Sequence, residues 1–425
     1  MANCRIFSVI PSSLKKSRAP ISAPSDVLPI YRVSSAGSLP SSPEAAAHSA
    51  RLIEAIREEL AVSGGSMSFA RYMELALYAP GLGYYSAGSV KLGSSGDFVT
   101  APELSPLFGR CLARPCQEVL ARLDGGVICE LGAGTGRLAV EILTELERRG
   151  SLPEAYFILE ISADLRARQQ EWIESAVPHL ASRVEWLERP PSRPWRGIMI
   201  ANEVLDALPV HRFRLAGRNV YEQHVGWQGD SFTWGEEVSA EPRLRAQIEA
   251  IQSALGFPLP EGYVSEVNLA LTPWLGTVTE FLGRGICLCI DYGYTRREYY
   301  LPERREGTLM CHHRHRVHAD PLILAGLQDI SSFVDFTALA ESAETCGLAV
   351  LGYTTQAHFL IGCGLEEALK SLQTADPQRY LEHIQEAKQL TLPQVMGERF
   401  KVMALGRAWD GPLTGFQEYD QRYRL

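Results

Sequence analysis

The chain has 425 residues, 46% of them hydrophobic and 21% charged, with a net charge of -9 at pH 7. These values are ordinary for a globular enzyme, and the length predicts a core domain with a large elaboration. The negative charge argues against a general nucleic-acid-binding protein, and no apolar run approaches the length of a membrane span. Nine cysteines without any C-x-x-C pair indicate neither a disulfide framework nor a zinc ribbon.

Residues 1–43 form a segment rich in serine and proline, in which five basic residues stand against one acid. This composition predicts a flexible leader, and we interpret the chain as a cytoplasmic protein. A basic, serine-rich and acid-poor leader also fits an organelle transit peptide, which would place the protein in the mitochondrial matrix. The prolines weaken this alternative because they interrupt the amphipathic helix that such a peptide needs.

Residues 44–126 are expected to form an N-terminal helical and loop segment that covers the cofactor site. Apolar residues recur at helical spacing from Pro43 to Gly64, and a second helix is predicted from Ser68 to Ala79. The glycine- and aromatic-rich loop that follows contains two acids, Asp97 and Glu103. We assign Asp97 to the cofactor, and a packed structural loop is the alternative.

The stretch from Val127 to Gly136 predicts a strand, a tight turn and the start of a helix. Gly132, Gly134 and Gly136 let the backbone turn sharply and approach a ligand, while the helix offers its free N–H groups. The spacing G-x-G-x-G differs from the dinucleotide fingerprint G-x-G-x-x-G, which disfavours a nicotinamide-dependent oxidoreductase. Glu130, at the strand end, suits a cationic ligand such as the sulfonium and amino group of S-adenosylmethionine. A glycine-rich turn without a ligand is the alternative.

The chain then alternates strands and helices, which predicts an open, mostly parallel sheet with ligands at the carboxyl ends of its strands. A strand at 155–161 carries Glu160 near its end, where nucleotide-binding folds bond the ribose hydroxyls. Ser162 is expected to cap a helix at 162–176. Further strands are predicted at 183–187 and 197–201.

The strand at 197–201 runs into Asn202-Glu-Val-Leu-Asp-Ala-Leu-Pro-Val-His211, and here we place the chemistry. Asn202, Glu203 and Asp206 are expected to face the transferring group, because this strand end lies beside the glycine turn in a doubly wound sheet. An amide oxygen and two carboxylates can orient an incoming amine or guanidinium, pair with its charge and accept its proton. The alternative is a helix cap by Asn202, with the acids near a helix N-terminus.

Residues 213–284 interrupt the alternation and predict an α+β insertion that recognises the substrate. Its expected elements are antiparallel strands at 213–225 and 227–234 and helices at 241–255 and 266–282. The sheet resumes at 285–290, and Asp291 marks another strand end at the site.

The run from Cys311 to His318 is the densest group of titratable side chains. No second, distant set of ligands accompanies it, so no metal site is predicted, and a solvated basic loop that contacts an acidic partner or the cofactor is preferred. Later strands at 348–353 and 400–405, with helices before and between them, complete a seven-stranded sheet. A late seventh strand antiparallel to its neighbours would mark a class I methyltransferase sheet, but the sequence does not fix its direction.

Four motifs in this order give the chain a resemblance to the MidA-like family of class I S-adenosylmethionine-dependent methyltransferases. They are Gly96–Glu103, Glu130–Gly136, Asn202–His211 and Asp291–Gly293. The family includes the mitochondrial protein-arginine methyltransferase that assists assembly of respiratory complex I. The resemblance implies an in-line methyl transfer to an arginine side chain of a partner protein. Symmetric dimethylation of that arginine is the most specific activity that it implies.

The sequence thus predicts an α/β fold of the class I methyltransferase type, with a Rossmann-like seven-stranded sheet, an N-terminal helical segment and an α+β insertion. The methyltransferase core is expected in two parts, 127–212 and 285–425. S-adenosylmethionine is the expected cofactor, and the expected partner is a protein that carries the acceptor arginine; a homodimer is left open. Two alternatives remain: methylation of a small molecule, and a non-catalytic assembly factor that keeps the fold.

Overall fold

The structure is a computed structural model that describes residues 42–87, 100–373 and 376–425. Its strands are β1 (Ser66–Ser68), β2 (Val127–Leu131), β3 (Ala155–Leu159), β4 (Val184–Leu187), β5 (Trp195–Asn202), β6 (His211–Ala216), β7 (Asn219–Gln228), β8 (Ser231–Val238), β9 (Val264–Val267), β10 (Leu282–Tyr294), β11 (Met310–His313), β12 (Arg316–His318), β13 (Asp329–Ser331), β14 (Val334–Asp335), β15 (Ala349–Thr355) and β16 (Phe400–Arg407). Its α-helices are α1 (Pro43–Val62), α2 (Phe69–Tyr78), α3 (Ala101–Leu104), α4 (Pro106–Leu123), α5 (Arg137–Arg148), α6 (Ala163–Ala176), α7 (Pro242–Leu255), α8 (Leu271–Thr279), α9 (Arg296–Tyr299), α10 (Phe336–Thr345), α11 (Gln356–Gly362), α12 (Leu365–Ser371) and α13 (Pro377–Thr391).

The chain divides into two compact units. Of the described residues, the accessory unit holds 42–87, 206–273 and 295–333, and the core unit holds the remainder. The predicted segment 44–126 is therefore shared between the units, because α4 packs its apolar face against α5 in the hydrophobic cluster of the core. Helices α1 and α2 belong instead to the accessory unit, together with most of the predicted insertion and with residues 295–333.

The core unit is built on one sheet with the strand order β15-β16-β10-β5-β2-β3-β4, and the short β14 pairs with the end of β10. Strands β10, β5, β2, β3 and β4 are parallel to one another, whereas β16 is antiparallel to both of its neighbours. This arrangement confirms the predicted sheet and supplies the direction of the late strand. Residues Ile198–Ala201 of β5 are buried, as expected for a strand covered on both faces.

The predicted helix starts in the core unit agree with the structure. Helix α5 begins directly after Gly136, which takes a left-handed conformation with φ of 85°. Helix α6 begins after Ser162, whose hydroxyl accepts a hydrogen bond from the Leu165 N–H at 3.4 Å. This contact satisfies a backbone donor that the first helical turn leaves without a helical partner. Both helices are thereby fixed at their N-termini next to the carboxyl ends of β2 and β3.

The accessory unit contains a sheet in the order β1-β7-β6-β9, with β8 paired to β7. The predicted strand 213–225 is interrupted at Gly217, where the chain turns from β6 into β7. The predicted helix 266–282 starts only at Leu271, because β9 joins the edge of β6. Glu266 is buried there and accepts a hydrogen bond from the Thr308 N–H at 2.8 Å, a long-range contact that helical periodicity does not reveal.

The run from Cys311 to His318 forms a hairpin of β11 and β12 rather than a loop, and β13 pairs with the other edge of β11. Residues 314–317 are exposed, in agreement with the predicted solvation. The two turn residues, Arg314 and His315, both have positive φ angles, of 50° and 59°. Two such residues match the twist of a two-residue hairpin, but glycine or asparagine usually signals that turn. The sequence does not predict the hairpin because neither residue type is present at the turn.

None of the helices in the described part of the chain combines the length and apolarity that a membrane crossing requires.

Candidate functional site

The predicted glycine turn lies between β2 and α5, at the carboxyl end of a central strand. Gly132, Gly134 and Gly136 all have positive φ angles, of 62°, 56° and 85°, which side chains on those residues would strain. The Gly132 N–H donates to the Leu159 carbonyl at 3.1 Å, so the turn is tied to the end of β3. The first N–H groups of α5 are left facing the space beyond the turn, where they can bind a polar or anionic group.

Glu160 lies just beyond β3, and its carboxylate is buried. One oxygen, Oε1, accepts from the Ser162 N–H at 2.9 Å, and the other, Oε2, accepts from Gln169 Nε2 at 3.0 Å. Burial raises the pKa of Glu160, and these two hydrogen bonds oppose that shift. The side chain is therefore held in one orientation beside the glycine turn.

Gln169, on α6, is a site residue that the sequence reasoning missed. Its side chain is 0% exposed, and Nε2 also donates to the Gly134 carbonyl at 3.0 Å. Its oxygen accepts a hydrogen bond from Trp186 Nε1 at 2.9 Å. A polar residue four positions before the buried Ile173, on the inward face of the helix, was the signal that could have found it.

Glu130 occupies the last but one position of β2 and is only 3% exposed. Its Oε2 accepts a hydrogen bond from the Tyr156 hydroxyl at 2.7 Å. Burial raises the pKa of Glu130 to about 7, with a further contribution from the charge of Glu160 and an opposing one from Tyr156. The structure thus places this acid against a tyrosine of the neighbouring strand, and its assignment to the cofactor stays a prediction.

The raised pKa of Glu130 predicts a pH-dependent stability. The folded state binds the proton of the Glu130 carboxyl more tightly than the unfolded chain does. The stabilisation of the fold by the protonated carboxyl is therefore present in full below pH 4.5 and is lost as pH rises through 7. Glu130→Gln removes the ionisation, so its free energy of unfolding should exceed that of the wild type at pH 8 by up to about 3 kcal/mol. Urea unfolding at pH 5 and pH 8 measures this difference. Glu174→Gln, which removes an exposed charge on α6, is the control, and an equal response of both variants would contradict the prediction.

Of the two acids in the loop before the glycine turn, Asp97 lies outside the described residues, and its assignment to the cofactor stays a prediction. Glu103, on α3, accepts a hydrogen bond from the Thr135 hydroxyl, inside the glycine turn. Arg137 Nη1 lies 3.5 Å from the other carboxylate oxygen of Glu103. Glu103 therefore braces the turn from the side of α3.

The predicted chemistry begins at the end of β5, where Asn202 and Glu203 lie together. Asn202 Nδ2 donates to Glu203 Oε1 at 3.4 Å, while Asn202 Oδ1 is buried and has no hydrogen-bond partner among the described residues. Glu203 has a φ angle of 53°, and its N–H donates to the Ile290 carbonyl of β10 at 2.9 Å. A non-glycine residue in this conformation carries strain of about 1–3 kcal/mol, which is a frequent property of functional positions.

Asp291, at the corresponding point of β10, is 0% exposed and orients the segment after Glu203. Its Oδ2 accepts from the Leu205 N–H at 2.9 Å, and its Oδ1 accepts from the Tyr292 N–H at 2.9 Å. The third predicted catalytic residue, Asp206, belongs to the accessory unit, where it is buried and its carbonyl accepts from the Ser332 N–H at 3.0 Å. The catalytic assignment of Asn202, Glu203 and Asp206 stays a prediction.

The chemistry of the core-unit groups fits S-adenosylmethionine. Glu160 offers carboxylate oxygens to ribose hydroxyls, and the N-terminal N–H groups of α5 offer donors to a carboxylate. A β-carbon built on Gly136 would lie 3.5 Å from the Gln169 Cα, an ordinary contact distance, so the turn packs against α6, and the φ angle of 85° rather than a lack of space favours glycine there. In residues 42–87, 100–373 and 376–425, no cluster of three or more histidine, cysteine or acidic side chains is arranged to hold a metal ion.

A cavity of about 480 Å³ also opens in the core unit, between the N-terminal part of α5 and helix α13. Its lining includes Arg137, Glu141, His383 and Glu386. Of the predicted site residues that the structure describes, none lines this cavity, although Arg137 directly follows Gly136. We therefore base the cofactor assignment on the glycine turn and Glu160 rather than on the cavity.

A protein-family model described as "Putative S-adenosyl-L-methionine-dependent methyltransferase" matches residues 111–354. The chain is 27% identical over 375 residues to "Protein arginine methyltransferase NDUFAF7, mitochondrial" of Danio rerio, with 81% of this chain and 84% of the relative covered. The protein of the same name from Homo sapiens is 27% identical over 382 residues, with 81% and 80% covered.

A solved structure of a Burkholderia thailandensis protein bound to S-adenosyl-homocysteine is 41% identical, with a TM-score of 0.86, and covers 90% of this chain and 99% of its own. A native structure from the same organism is 40% identical, with a TM-score of 0.83 and the same coverage. These matches confirm the MidA-like resemblance, the class I methyltransferase fold and S-adenosylmethionine as the cofactor. The chain therefore belongs to this family of S-adenosyl-L-methionine-dependent methyltransferases.

Proposed function

We propose that this chain transfers methyl groups from S-adenosylmethionine to an arginine side chain of a partner protein. The observation that carries the proposal is the buried Oδ1 of Asn202, which has no hydrogen-bond partner within the described part of the chain and lies beside the Glu203 carboxylate, at the end of a strand adjacent to β2. A guanidinium has five N–H donors and no acceptor, so it can donate hydrogen bonds both to Asn202 Oδ1 and to the Glu203 carboxylate. The relatives named above as protein arginine methyltransferases support the same acceptor.

The side chains at the end of β5 have distinct tasks in this proposal. S-adenosylmethionine, when bound, supplies an electrophilic methyl group on its sulfonium. Asn202 Oδ1 accepts one guanidinium N–H and orients the nitrogen that attacks. Glu203 pairs with the guanidinium charge and accepts the proton that the methylated nitrogen releases. Asp291 holds the backbone at Leu205 and so keeps both side chains at the strand end.

The acceptor is tested by following the labelled methyl group. The purified protein is incubated with tritiated S-adenosylmethionine and an extract of cells from which its gene has been deleted. We expect label in the protein fraction, released by acid hydrolysis as methylarginine; chromatography separates the monomethyl from the symmetric dimethyl form. Label in the low-mass fraction would support the small-molecule alternative. Intact cofactor binding without any transfer would support the non-catalytic assembly factor.

The Asn202→Leu variant tests whether Asn202 Oδ1 binds the acceptor arginine. The variant removes the Oδ1 atom at nearly constant side-chain volume. The KM for the protein that carries the arginine should therefore rise by about tenfold, which corresponds to the loss of one hydrogen bond to a charged group. The affinity for S-adenosyl-homocysteine should stay within about twofold. Gln170→Leu, which removes an exposed side-chain amide on α6, is the control for the loss of one amide. An unchanged KM in Asn202→Leu would remove the support that this observation gives.

The location of the protein is part of the proposal. The relatives are named as mitochondrial, which favours the mitochondrial-matrix alternative; the preferred cytoplasmic interpretation has no such support. Residues 1–43, most of which lie outside the described residues, are the candidate transit peptide. A fluorescent fusion of residues 1–43 should enter mitochondria, and its retention in the cytosol would contradict this part of the proposal.

The homodimer stays a prediction that size-exclusion chromatography with light scattering can test.

A further inference from the structure

The Gln169 amide connects three separate elements of the core unit. Nε2 donates to the Gly134 carbonyl in the glycine turn and to Glu160 Oε2 after β3, each at 3.0 Å. Oε1 accepts from Trp186 Nε1 of β4 at 2.9 Å. Both N–H donors of the amide and one lone pair of its oxygen are therefore used, in a side chain that is 0% exposed.

Trp186 determines which way round the amide lies. An indole N–H can only donate, so it must face the amide oxygen, and the NH₂ group must then face the carbonyl and the carboxylate. The reversed orientation would place the amide oxygen against two acceptors and the NH₂ group against a donor. That arrangement would deprive the Gly134 carbonyl, the Glu160 carboxylate and the Trp186 N–H of these hydrogen bonds, so it is disfavoured.

Glu160 gains two properties from this contact. Among the described residues, Oε1 accepts a hydrogen bond from the Ser162 N–H and Oε2 accepts one from Gln169, and the Ile161 N–H is a further backbone donor to the carboxylate. These donors do not use all of the about four lone-pair sites of the carboxylate. Burial raises the pKa of Glu160, whereas these donors and the charge of Arg166 on α6 favour the ionised form. The acceptor capacity that remains on the carboxylate can serve the hydroxyls of a ribose.

We propose that Gln169 is a positioning residue that holds Glu160 against the glycine turn, so that both carboxylate oxygens are presented to the ribose hydroxyls of S-adenosylmethionine. The inference rests on the ribose role of Glu160 and adds a residue that acts through Glu160 rather than on the ligand. It also gives Trp186 a function, which is to select the productive orientation of the Gln169 amide. The glycine turn and the ribose acid are thereby set in position together.

The test is a calorimetric comparison of two ligands, S-adenosyl-homocysteine and its 2′,3′-dideoxy analogue, which lacks both ribose hydroxyls. Gln169→Leu should weaken binding of S-adenosyl-homocysteine by about 10- to 100-fold, because a hydrogen bond to a charged group and a second one are lost. Binding of the dideoxy analogue should weaken clearly less, by about fivefold at most, since it makes no bond to Glu160 and is affected only through the lost contact with the Gly134 carbonyl. Gln170→Leu, which alters an exposed glutamine bonded to Glu174, is the matched control and should bind both ligands like the wild type.

Trp186→Phe is the second variant and keeps the test decisive if Gln169→Leu does not fold. It removes the N–H that orients the amide but keeps an aromatic ring, so binding of S-adenosyl-homocysteine should weaken by about 2- to 10-fold, again with the dideoxy analogue unaffected. The pH profile gives an independent readout. Without the Gln169 donor the pKa of Glu160 rises further, so the loss of binding on acidification should begin at a higher pH in Gln169→Leu than in the wild type.

Glu160→Gln separates the two proposals. If Glu160→Gln binds S-adenosyl-homocysteine like the wild type, the ribose role of Glu160 fails and the role of Gln169 fails with it. If Glu160→Gln weakens binding but Gln169→Leu does not, only the positioning role is overturned. Equal weakening of both ligands by Gln169→Leu, with no shift in the pH profile, would also overturn it, because a purely structural residue has that effect.

Discussion

A Gly134→Val variant is expected to fold and to show no measurable binding of S-adenosylmethionine in a calorimetric titration. Gly134 has a φ angle of 56°, and a β-branched residue in that conformation costs about 1–2 kcal/mol or more. The strain can be relieved only by moving the turn, which breaks the bond from Gln169 to the Gly134 carbonyl and redirects the N–H groups that follow. A fall in affinity of at least about 100-fold corresponds to about 2.7 kcal/mol.

Gly150→Val is the matched control for this variant. Gly150 follows α5 with a φ angle of 65°, and a β-carbon there would meet no atom within 4 Å. The control therefore carries a similar backbone strain without touching the turn, so both variants should lose similar stability while only Gly134→Val loses binding. Wild-type affinity in Gly134→Val, or an equal loss of affinity in Gly150→Val, would show that the turn does not form the cofactor site.

Glu203→Gln is expected to retain cofactor binding and to lose methyl transfer by about 100-fold or more in kcat, the range for removal of an acid–base group. Glutamine keeps the shape of glutamate and can still bond with Asn202 Nδ2, but it neither neutralises a guanidinium nor accepts its proton. The measurement is the rate of labelled methyl transfer to the acceptor protein, together with calorimetry of S-adenosyl-homocysteine. A variant with normal kcat would exclude the Glu203 carboxylate from the chemistry.

Glu203→Gly distinguishes a functional acid from a structural one. Glycine takes the φ angle of 53° without strain, so the variant should keep its stability while losing the same activity as Glu203→Gln. Thermal unfolding and the transfer assay measure the two effects separately. Such a separation is expected where a strained conformation is maintained for function rather than for folding. A Glu203→Gly protein that unfolds below the wild-type temperature would indicate instead that this side chain supports the strand end.

The parts of the fold that the sequence predicts well depend on local chemistry. The turn at Gly132–Gly136 and the cap at Ser162 are recognisable because glycine and serine are required there by backbone geometry and by unsatisfied N–H groups. The alternation of strands and helices predicts the parallel sheet for a similar reason, since crossover connections of that length permit little else. The antiparallel direction of β16 is different, because it depends on pairing with β10 and β15 and not on the composition of β16.

The parts that the sequence does not predict depend on residues far apart along the chain. Gln169 and Gly134 are 35 positions apart, and their contact exists only because α6 packs beside the glycine turn. Glu130 has the position expected of a ligand-binding acid, but its partner, Tyr156, lies on the adjacent strand at a separation of 26 positions. The late start of the predicted helix 266–282, at Leu271, has the same origin, because β9 pairs with β6 and this tertiary contact overrides local propensity.

The position of β16 has a consequence for synthesis of the chain on the ribosome. Strand β10 ends at residue 294 and β16 begins at residue 400, a separation of 106 residues, so most of one edge of β10 has no partner strand while these residues are added. At about 5–20 residues per second this interval lasts about 5–20 s, during which apolar residues such as Ile286 and Leu288 lie along an open edge. A premature stop anywhere before Phe400 would make that exposure permanent, and its product would go to chaperones and proteases rather than persist as a partly active enzyme.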